Sequence, residues 1–304
     1  MANTTPVQKK KRFWTMERQQ SAAGWVFLAP AAIMIFIFSV YPMFRAFLTS
    51  LKRGLPTALT YSDPLWRNYQ RMLSDKVFVQ SVTNTFTYLI VQVPIMLVLA
   101  IILASLLNNK DLKFRGVFRT CIFLPCATGL VAYSMIFRTL FTYDGMINSL
   151  LMNLGVLTEP INWLNDPFYA KVVIIIGLIW RWTGYNMVFF LSGMQGIEYS
   201  IYEAARIDGA NQFQQLIKIT IPLLKPIILV TGIMSTNGTL QLFDESVNLT
   251  RGGPGNMTIT MSHYIYNVMF TKNPNFGYAA AMSFVILIMV AILSAIETKV
   301  GDKR

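Results

Sequence analysis

The sequence has few charged residues and few of the side chains that bind metals or act as catalysts. Charged residues make up 13% of its 304 residues, whereas a soluble domain carries about a quarter. It contains one histidine, His263, and two cysteines, Cys121 and Cys126, which lie in an apolar setting without CxxC spacing. A histidine metal cluster is therefore excluded, and a Ser-His-Asp triad or a cysteine metal site is not supported. Because a GxxxxGK(S/T) phosphate loop is also absent from the sequence, we expect a non-catalytic protein with no metal or cofactor of its own.

Long apolar runs dominate the chain instead, and 54% of its residues are hydrophobic. A helix needs about 20 mostly apolar residues to cross a hydrocarbon core of about 30 Å. The runs that reach this length lie at residues 25–48, 82–107, 117–141, 171–194, 223–245 and 277–296. The first run is too long for a signal peptide and is interpreted as an uncleaved span. The sequence therefore predicts an all-α membrane protein with six transmembrane helices.

The chain has a net charge of +12, and many of its basic residues are clustered in segments next to the predicted spans. Basic residues cluster at 9–18, 110–119 and 299–304, which the positive-inside rule assigns to the cytoplasm. The outer loop at 53–81 is also basic. Because this loop is long, the orientation in the membrane is assigned from the shorter loops. Residues 1–22 then form a cytoplasmic tail with Phe13 and Trp14 at the interface, 23–298 the transmembrane domain, and 299–304 a cytoplasmic C-terminus. No basic stripe lies on a soluble domain, so no nucleic-acid partner is expected.

A polar segment between the fourth and fifth runs, at 198–222, carries the start and stop signals of two short helices. Ser200 and Glu203 have the spacing of a capping box, which would start a helix at about residue 201. Ala204 and Ala205 leave a small-residue face, and Gly209 allows a left-handed stop.

A second cap follows that glycine. Asn211 and Gln214 repeat the capping spacing, and Pro222 would end the second helix near residue 221. From the residues alone, the segment is either an amphipathic connector or a preformed docking element for a soluble partner.

The same segment, EAARIDGANQFQQLIKITIP, resembles the signature loop of ABC importer permeases. The segments FRTCIFLP, LTRGGP and NPNFGYAAAMSF and the Phe243-Asp244 pair resemble the first of two paired permease subunits in maltose-type sugar importers. The likeness covers about residues 20–300, with Ile221 where the loop pattern has leucine. Within the loop, the resemblance assigns ATPase coupling to Glu203, Ala204, Ala205, Asp208, Gly209, Ile219 and Pro222.

This resemblance implies an alternating-access permease that forms half of a sugar pathway, with an oligosaccharide as the expected cargo. The 201–221 element would be a cytoplasmic coupling helix-turn-helix between spans four and five. The implied partners are a second homologous permease, two ATP-binding subunits that hold Mg-ATP, an extracytoplasmic solute-binding protein, the sugar, and lipid. The chain would lie in the plasma (inner) membrane with both termini cytoplasmic.

Polar side chains at membrane depth mark candidate pathway residues, because burying them in lipid is costly. Arg181 lies near the middle of the fourth run. The alternative interpretations are a structural ion pair with Asp244 or Glu245 and a contact with the second permease. Sugars need amides, carboxylates and an aromatic platform, and the fifth run offers them. The predicted pathway residues are Asn237, Gln241, Phe243, Asp244 and Arg181, with Tyr133 and Asn186 as weaker additions that packing also explains.

A secondary transporter and a membrane scaffold are the alternatives to an ATP-driven permease. A stand-alone secondary transporter would usually show inverted halves within one chain, and none is found in the sequence. A membrane scaffold without transport would leave the polar residues of the fifth run unexplained. Asp244 and Glu245 are adjacent, so on a helix they point about 100° apart and do not face each other as a glycosidase pair would.

Overall fold

The computed structural model describes residues 16–54, 58–109, 112–271 and 274–301, and the predictions for Phe13, Trp14 and the last three residues lie outside this part of the chain. Helices form almost all of the regular structure, with one short hairpin of β1 (Lys52–Arg53) and β2 (Thr60–Tyr61). The α-helices are α1 (Met16–Ile35), α2 (Tyr41–Ser50), α3 (Arg67–Ser74), α4 (Lys76–Asn108), α5 (Arg115–Ala127), α6 (Leu130–Leu140), α7 (Met146–Asn153), α8 (Pro167–Gln195), α9 (Tyr199–Ile207), α10 (Gln212–Gln215), α11 (Ile221–Leu240), α12 (Met261–Phe270) and α13 (Phe276–Gly301). Three π-helical turns lie at Phe36–Val40, Leu216–Thr220 and Ser246–Thr250.

The prediction of an all-α membrane protein is confirmed. Within the described residues, five helical segments are long and apolar enough to cross a membrane, and the bent pair of α5 and α6 makes a sixth if it counts as one span. The five segments are Gln19–Ser50, Lys76–Asn108, Pro167–Gln195, Gln212–Leu240 and Phe276–Gly301. They contain four of the predicted apolar runs completely, namely 25–48, 82–107, 171–194 and 277–296.

The third predicted span, at 117–141, is not one straight helix. The chain turns by 98° between α5 and α6. Thr128 and Gly129 both have extended backbones, with ψ angles of 144° and 137°, and the Thr128 hydroxyl donates to the carbonyl of Pro125 at 2.7 Å. Two successive extended residues cannot continue a helical ladder, so the apolar run is divided even though its hydropathy is continuous.

The expected helix end at Pro222 is wrong. The π-helical turn Leu216–Thr220 leads directly into α11, and Pro222 lies in its first turn. The same arrangement occurs at Pro42, which follows the π-helical turn Phe36–Val40. A proline lacks an amide donor and clashes with the preceding turn of an α-helix. Where the helix widens into a π turn, both prolines are accommodated and the helix continues.

Helices α4 and α8 pack against each other at the centre of the molecule, and α5 and α11 lie against this pair. Part of the core is a cluster in which Met187, Phe190 and Leu191 of α8 meet Ala100 and Ala104 of α4. At Gly184, α8 approaches the backbone of α5 without a side chain of its own. A Cβ atom added at Gly184 would lie 2.0 Å from the carbonyl oxygen of Ile122.

At the start of α4, a carboxylate joins three helices. One oxygen of Asp75 accepts from the amides of Val77 and Phe78, at 3.0 and 3.2 Å. The other accepts from the hydroxyls of Tyr264 in α12 and Tyr278 in α13, at 2.6 and 2.8 Å. Burial by itself would raise the pKa of Asp75, but these hydrogen bonds outweigh it and lower the pKa below its usual value. The carboxylate is therefore ionised at neutral pH and ties α12 and α13 to α4.

Replacing Gly184 by alanine should destabilise the bundle, because the new methyl group would displace α5. We expect a loss of about 1–3 kcal/mol in the free energy of unfolding. Gly232→Ala is the matched control, since its added Cβ has no atom within 4 Å. That change should be neutral or slightly stabilising in a helix. Thermal unfolding in detergent compares the two, and equal melting temperatures would contradict the close contact between α5 and α8.

Candidate functional site

A cavity of about 460 Å³ lies between α4, α8 and the end of α11. Its wall combines aromatic rings with polar and charged groups. The rings belong to Trp182, Tyr185, Phe189 and Phe243, and the charged and amide side chains belong to Gln92, Arg181, Asn186, Gln241, Asp244 and Glu245. Such a wall offers flat apolar faces together with hydrogen-bond donors and acceptors.

The cavity exists because α11 ends early. The helix stops at Leu240, whereas the predicted fifth span continued to residue 245. The hydroxyl of Thr239 donates to the side-chain oxygen of Gln92 at 3.1 Å, and Gln92 lies near the middle of α4. The end of α11 therefore lies beside the middle of α4 and not beside its end. Residues 241–245 leave the helix at this level and line the cavity.

The chain after the cavity remains inside the bundle. The first half of the segment 246–276 packs against α4 and α8, and Leu249 and Ile259 are buried. The Asn84 amide donates to the carbonyl of Ile259 at 2.9 Å, and the Thr260 hydroxyl donates to the carbonyl of Leu242 at 2.6 Å. Turns within the segment pair some of its backbone groups, and these side chains satisfy others.

A second set of contacts closes the same segment. Ser246 donates to the carbonyl of Thr258 at 3.0 Å, and its oxygen lies 2.9 Å from Nδ1 of His263. Tyr88 donates to the carbonyl of Thr258 at 3.3 Å. Burial lowers the pKa of His263, which favours the neutral imidazole. The single histidine thus has a structural position in this segment.

Arg181 is held by aromatic rings. Its guanidinium carbon lies 5.4 Å from the ring centre of Tyr133 and 5.6 Å from that of Trp182, distances typical of cation–π contacts. The side chain is only 6% exposed, and its Nε and Nη1 atoms have no hydrogen-bond partner. These two nitrogens therefore do not form the ion pair with Asp244 or Glu245 that was one alternative interpretation of Arg181.

The structure brings most of the predicted pathway residues together. Those that line the cavity are Arg181, Asn186, Gln241, Phe243 and Asp244. Tyr133 lies behind the wall, where it is 1% exposed and contacts Arg181 and Trp180. The side-chain oxygen of Asn237 accepts from Ser294 of α13 at 3.1 Å, on a different side of α11.

Two buried cavity residues with an amide or a carboxyl group were not among the predicted ones. Gln92 is 2% exposed and Glu245 is 3% exposed. A signal for Gln92 was present, because it is an isolated amide within the apolar run at 82–107. Glu245 is next to Asp244 in the sequence, and the two residues face the same cavity because the helix breaks after Leu240.

The polar segment after α8 forms a helix, a turn and a helix, but its first cap differs from the prediction. Helix α9 begins at Tyr199 with Glu198 at the N-cap position, and no side chain caps it. The predicted capping box of Ser200 with Glu203 is wrong, because Ser200 lies inside the helix. Its hydroxyl is 3.4 Å from the carboxylate of Glu198.

The turn and the second cap agree with the prediction. Gly209 has a φ angle of +81°, which favours glycine, and the amide of Ala210 donates to the carbonyl of Ala205 at 2.8 Å. Asn211 and Gln214 form both bonds of a capping box, each 2.9 Å long. The two helices are therefore joined by a defined turn.

This helix-turn-helix is exposed. No residue of α9 is buried, and the side chains of Ile207 and Phe213 are 87% and 69% exposed. These two apolar side chains flank the turn and were not among the predicted site residues. Of the predicted ones, Glu203, Ala204, Asp208, Gly209 and Pro222 are exposed, and Ala205 and Ile219 are half-buried.

Comparison with known proteins gives the family. A family model described as a binding-protein-dependent transport system inner membrane component matches residues 72–302. The chain belongs to this family. It is accordingly a multi-pass inner-membrane permease component of an ABC transport system, and this component is not itself catalytic.

Individual relatives cover nearly the whole permease. It is 50% identical over 292 residues to the lactose transport system permease protein LacF of Rhizobium radiobacter, covering 95% of this chain and 97% of the relative. It is 31% identical to the trehalose/maltose transport system permease protein MalF of Thermococcus litoralis, with the same coverage of 95% and 97%. A crystal structure of a bacterial ABC transporter that imports alginate shares the fold, with a TM-score of 0.76, 20% identity, and coverage of 94% of this chain and 96% of that one.

Asn84→Ala should weaken the segment that follows the cavity, because it leaves the buried carbonyl of Ile259 without its donor. We expect a loss of about 1–3 kcal/mol in the free energy of unfolding. Gln80→Ala is the matched control, since it removes only the bond from Gln80 to the side chain of Asn84 on the same helix. Unfolding in detergent is the measurement, and equal stabilities of the two variants would show that Asn84 does not hold this segment.

Proposed function

We propose that the chain is a permease subunit of an ATP-driven sugar importer, with an oligosaccharide as its cargo, and that it forms half of the translocation pathway. The observation that carries this proposal is the cavity at the broken end of α11, in which aromatic rings and polar groups line one space. Relatives named for lactose and for trehalose/maltose transport support the class of cargo.

The cavity has the chemistry that a sugar requires. The C–H faces of a sugar pack against aromatic rings, and its hydroxyls bond to amides and carboxylates. Phe243 offers a ring, and Gln241 and Asp244 offer polar groups beside it. Phe189, Met234 and Gln241 line the cavity and are also exposed at the surface of this chain. A second homologous permease placed there would complete the wall.

The exposed helix-turn-helix is the proposed coupling element. Two ATP-binding subunits hold Mg-ATP, one on each permease, and the 201–221 element of this chain docks into its subunit. Ile207 and Phe213 provide apolar contact area, and Glu203 and Asp208 provide charge. The turn at Gly209 and the cap at Asn211 keep the element rigid.

A continuous helix connects this element to the cavity. The segment Gln212–Leu240 is helical over 29 residues, because the π turn before Pro222 prevents a break. At 1.5 Å per residue it is about 43 Å long. A push on the coupling element therefore reaches Thr239 and Gln241 through one rigid body, which is what alternating access requires.

The remaining assignments follow from this role. The tail at 1–22, the coupling loop at 198–222 and the C-terminus at 299–304 lie in the cytoplasm, and 23–298 form the membrane domain. An extracytoplasmic solute-binding protein delivers sugar to the opposite face. Uptake in vesicles reconstituted with both permeases, the ATP-binding subunits and the binding protein tests the proposal. Uptake that persists without ATP would favour a secondary transporter, and no uptake of any sugar would favour a scaffold.

Gly209→Val should abolish ATP-dependent uptake, because valine is strained at a φ angle of +81° and the turn would change shape. Glu203→Lys should do the same by reversing a charge on the docking face. Gly155→Val is the matched control for the glycine, since Gly155 has a φ angle of +72° and equally open surroundings, but follows α7. We expect that control to keep its uptake. Normal uptake by both coupling variants would overturn the coupling assignment.

A further inference from the structure

Arg181 has buried donors that nothing in this chain uses. Its Nε and Nη1 atoms have no hydrogen-bond partner, although the side chain is only 6% exposed. A buried donor without an acceptor is unfavourable, and more so for a charged group. The residue lines the cavity, so a molecule bound there would lie next to its guanidinium group.

The rings around Arg181 explain how it keeps these donors available. The guanidinium carbon lies over the rings of Tyr133 and Trp182, at 5.4 and 5.6 Å from their centroids. A cation–π contact uses the flat face of the group and leaves its N–H bonds, which lie in the plane, free. Tyr133 is itself fixed, since it is 1% exposed and stacks on Trp180 at 5.9 Å. Arg181 is therefore positioned before any ligand binds.

The charges of the cavity limit what that ligand can be. Arg181 is the one basic side chain in its lining as described, and it faces the same space as two carboxyl groups, those of Asp244 and Glu245. Glu245 is 3% exposed, so little water lies between its carboxyl group and a ligand. Charges interact strongly where water is excluded. An acidic ligand would gain one favourable partner and would lie beside two carboxyl groups.

We propose that Arg181 is the specificity-determining donor that this chain contributes to the pathway, and that it serves an uncharged sugar. Hydroxyl or ring oxygens of the sugar accept from the guanidinium of Arg181, while the sugar hydroxyls donate to Asp244 and Glu245. The two acids exclude sugars that carry a carboxylate. This inference rests on the proposed function and specifies its substrate class.

Two pairs of sugar derivatives test the exclusion of acidic sugars. Lactitol and lactobionate differ only in a terminal alcohol or carboxylate, as do maltitol and maltobionate. Their binding to the purified complex of both permeases and the ATP-binding subunits, without the binding protein, is measured by ligand-observed NMR. We expect each carboxylate to bind at least about tenfold more weakly than its alcohol. The double change Asp244→Asn with Glu245→Gln should reduce that difference to within about threefold. Equal binding of alcohol and carboxylate by the unchanged complex would overturn the exclusion.

Substitution of Arg181 tests its role as a donor. Arg181→Met should weaken lactitol or maltitol binding by about tenfold to a hundredfold, because it removes hydrogen bonds from a charged group. Arg181→Lys keeps the charge but loses the planar donor set, and we expect an intermediate loss. Arg138→Met is the matched control, since Arg138 is exposed and does not line the cavity. Unchanged binding in Arg181→Met and Arg181→Lys would overturn the donor role.

A separate measurement tells these failures from a failure of the proposed function. ATP-driven uptake of lactose and maltose by the unchanged complex depends on the proposed function and not on Arg181 being the donor. Uptake together with unselective binding would overturn this inference alone. Absence of both uptake and binding for every neutral sugar would overturn the proposed function and this inference with it.

Discussion

The structure depends on satisfying the backbone of one segment that leaves a helix inside the bundle. After Leu240 the helix is interrupted at residues 241–243, yet the chain remains among α4 and α8. In such a place every unpaired amide or carbonyl is costly. Side chains from α4 and from the segment itself supply the partners, with Asn84 donating to Ile259 and Thr260 donating to Leu242. Once these bonds are made, Gln241, Asp244 and Glu245 are directed into the cavity and not into lipid.

The same break determines how the two candidate sites are related. One helix begins at the exposed turn and ends at the cavity, so a displacement at one end reaches the other without an intermediate joint. The helix continues through the π turn and Pro222, so no break separates the two sites. A π turn also precedes Pro42 in the first span. A π turn is one way in which a helix accommodates a following proline.

Much of the architecture could be predicted from the sequence because lipid imposes a simple rule. Apolar runs of sufficient length become spans, and four of them lie wholly within the observed helices. The turn at Gly209 and the capping box of Asn211 and Gln214 could also be predicted, because both use only neighbouring residues. The capping box at Ser200 was wrong because a helix can begin two residues earlier, at Tyr199, without any side-chain cap. The bend after Ala127 was missed because hydropathy does not depend on backbone direction.

Sequence by itself determined the class of the protein, four of the spans, and the turn at Gly209 with its second cap, since each depends on composition or on residues within a few positions of one another. Tertiary structure decided which polar residues share a cavity. Tyr133 and Arg181 were both predicted pathway residues. Contacts between helices place the Tyr133 ring against Arg181 and leave two nitrogens of Arg181 without a hydrogen-bond partner. Glu245 and Gln92 face the same space only because α11 ends beside the middle of α4. The depth at which one helix ends relative to another is a property of packing, and no local pattern encodes it.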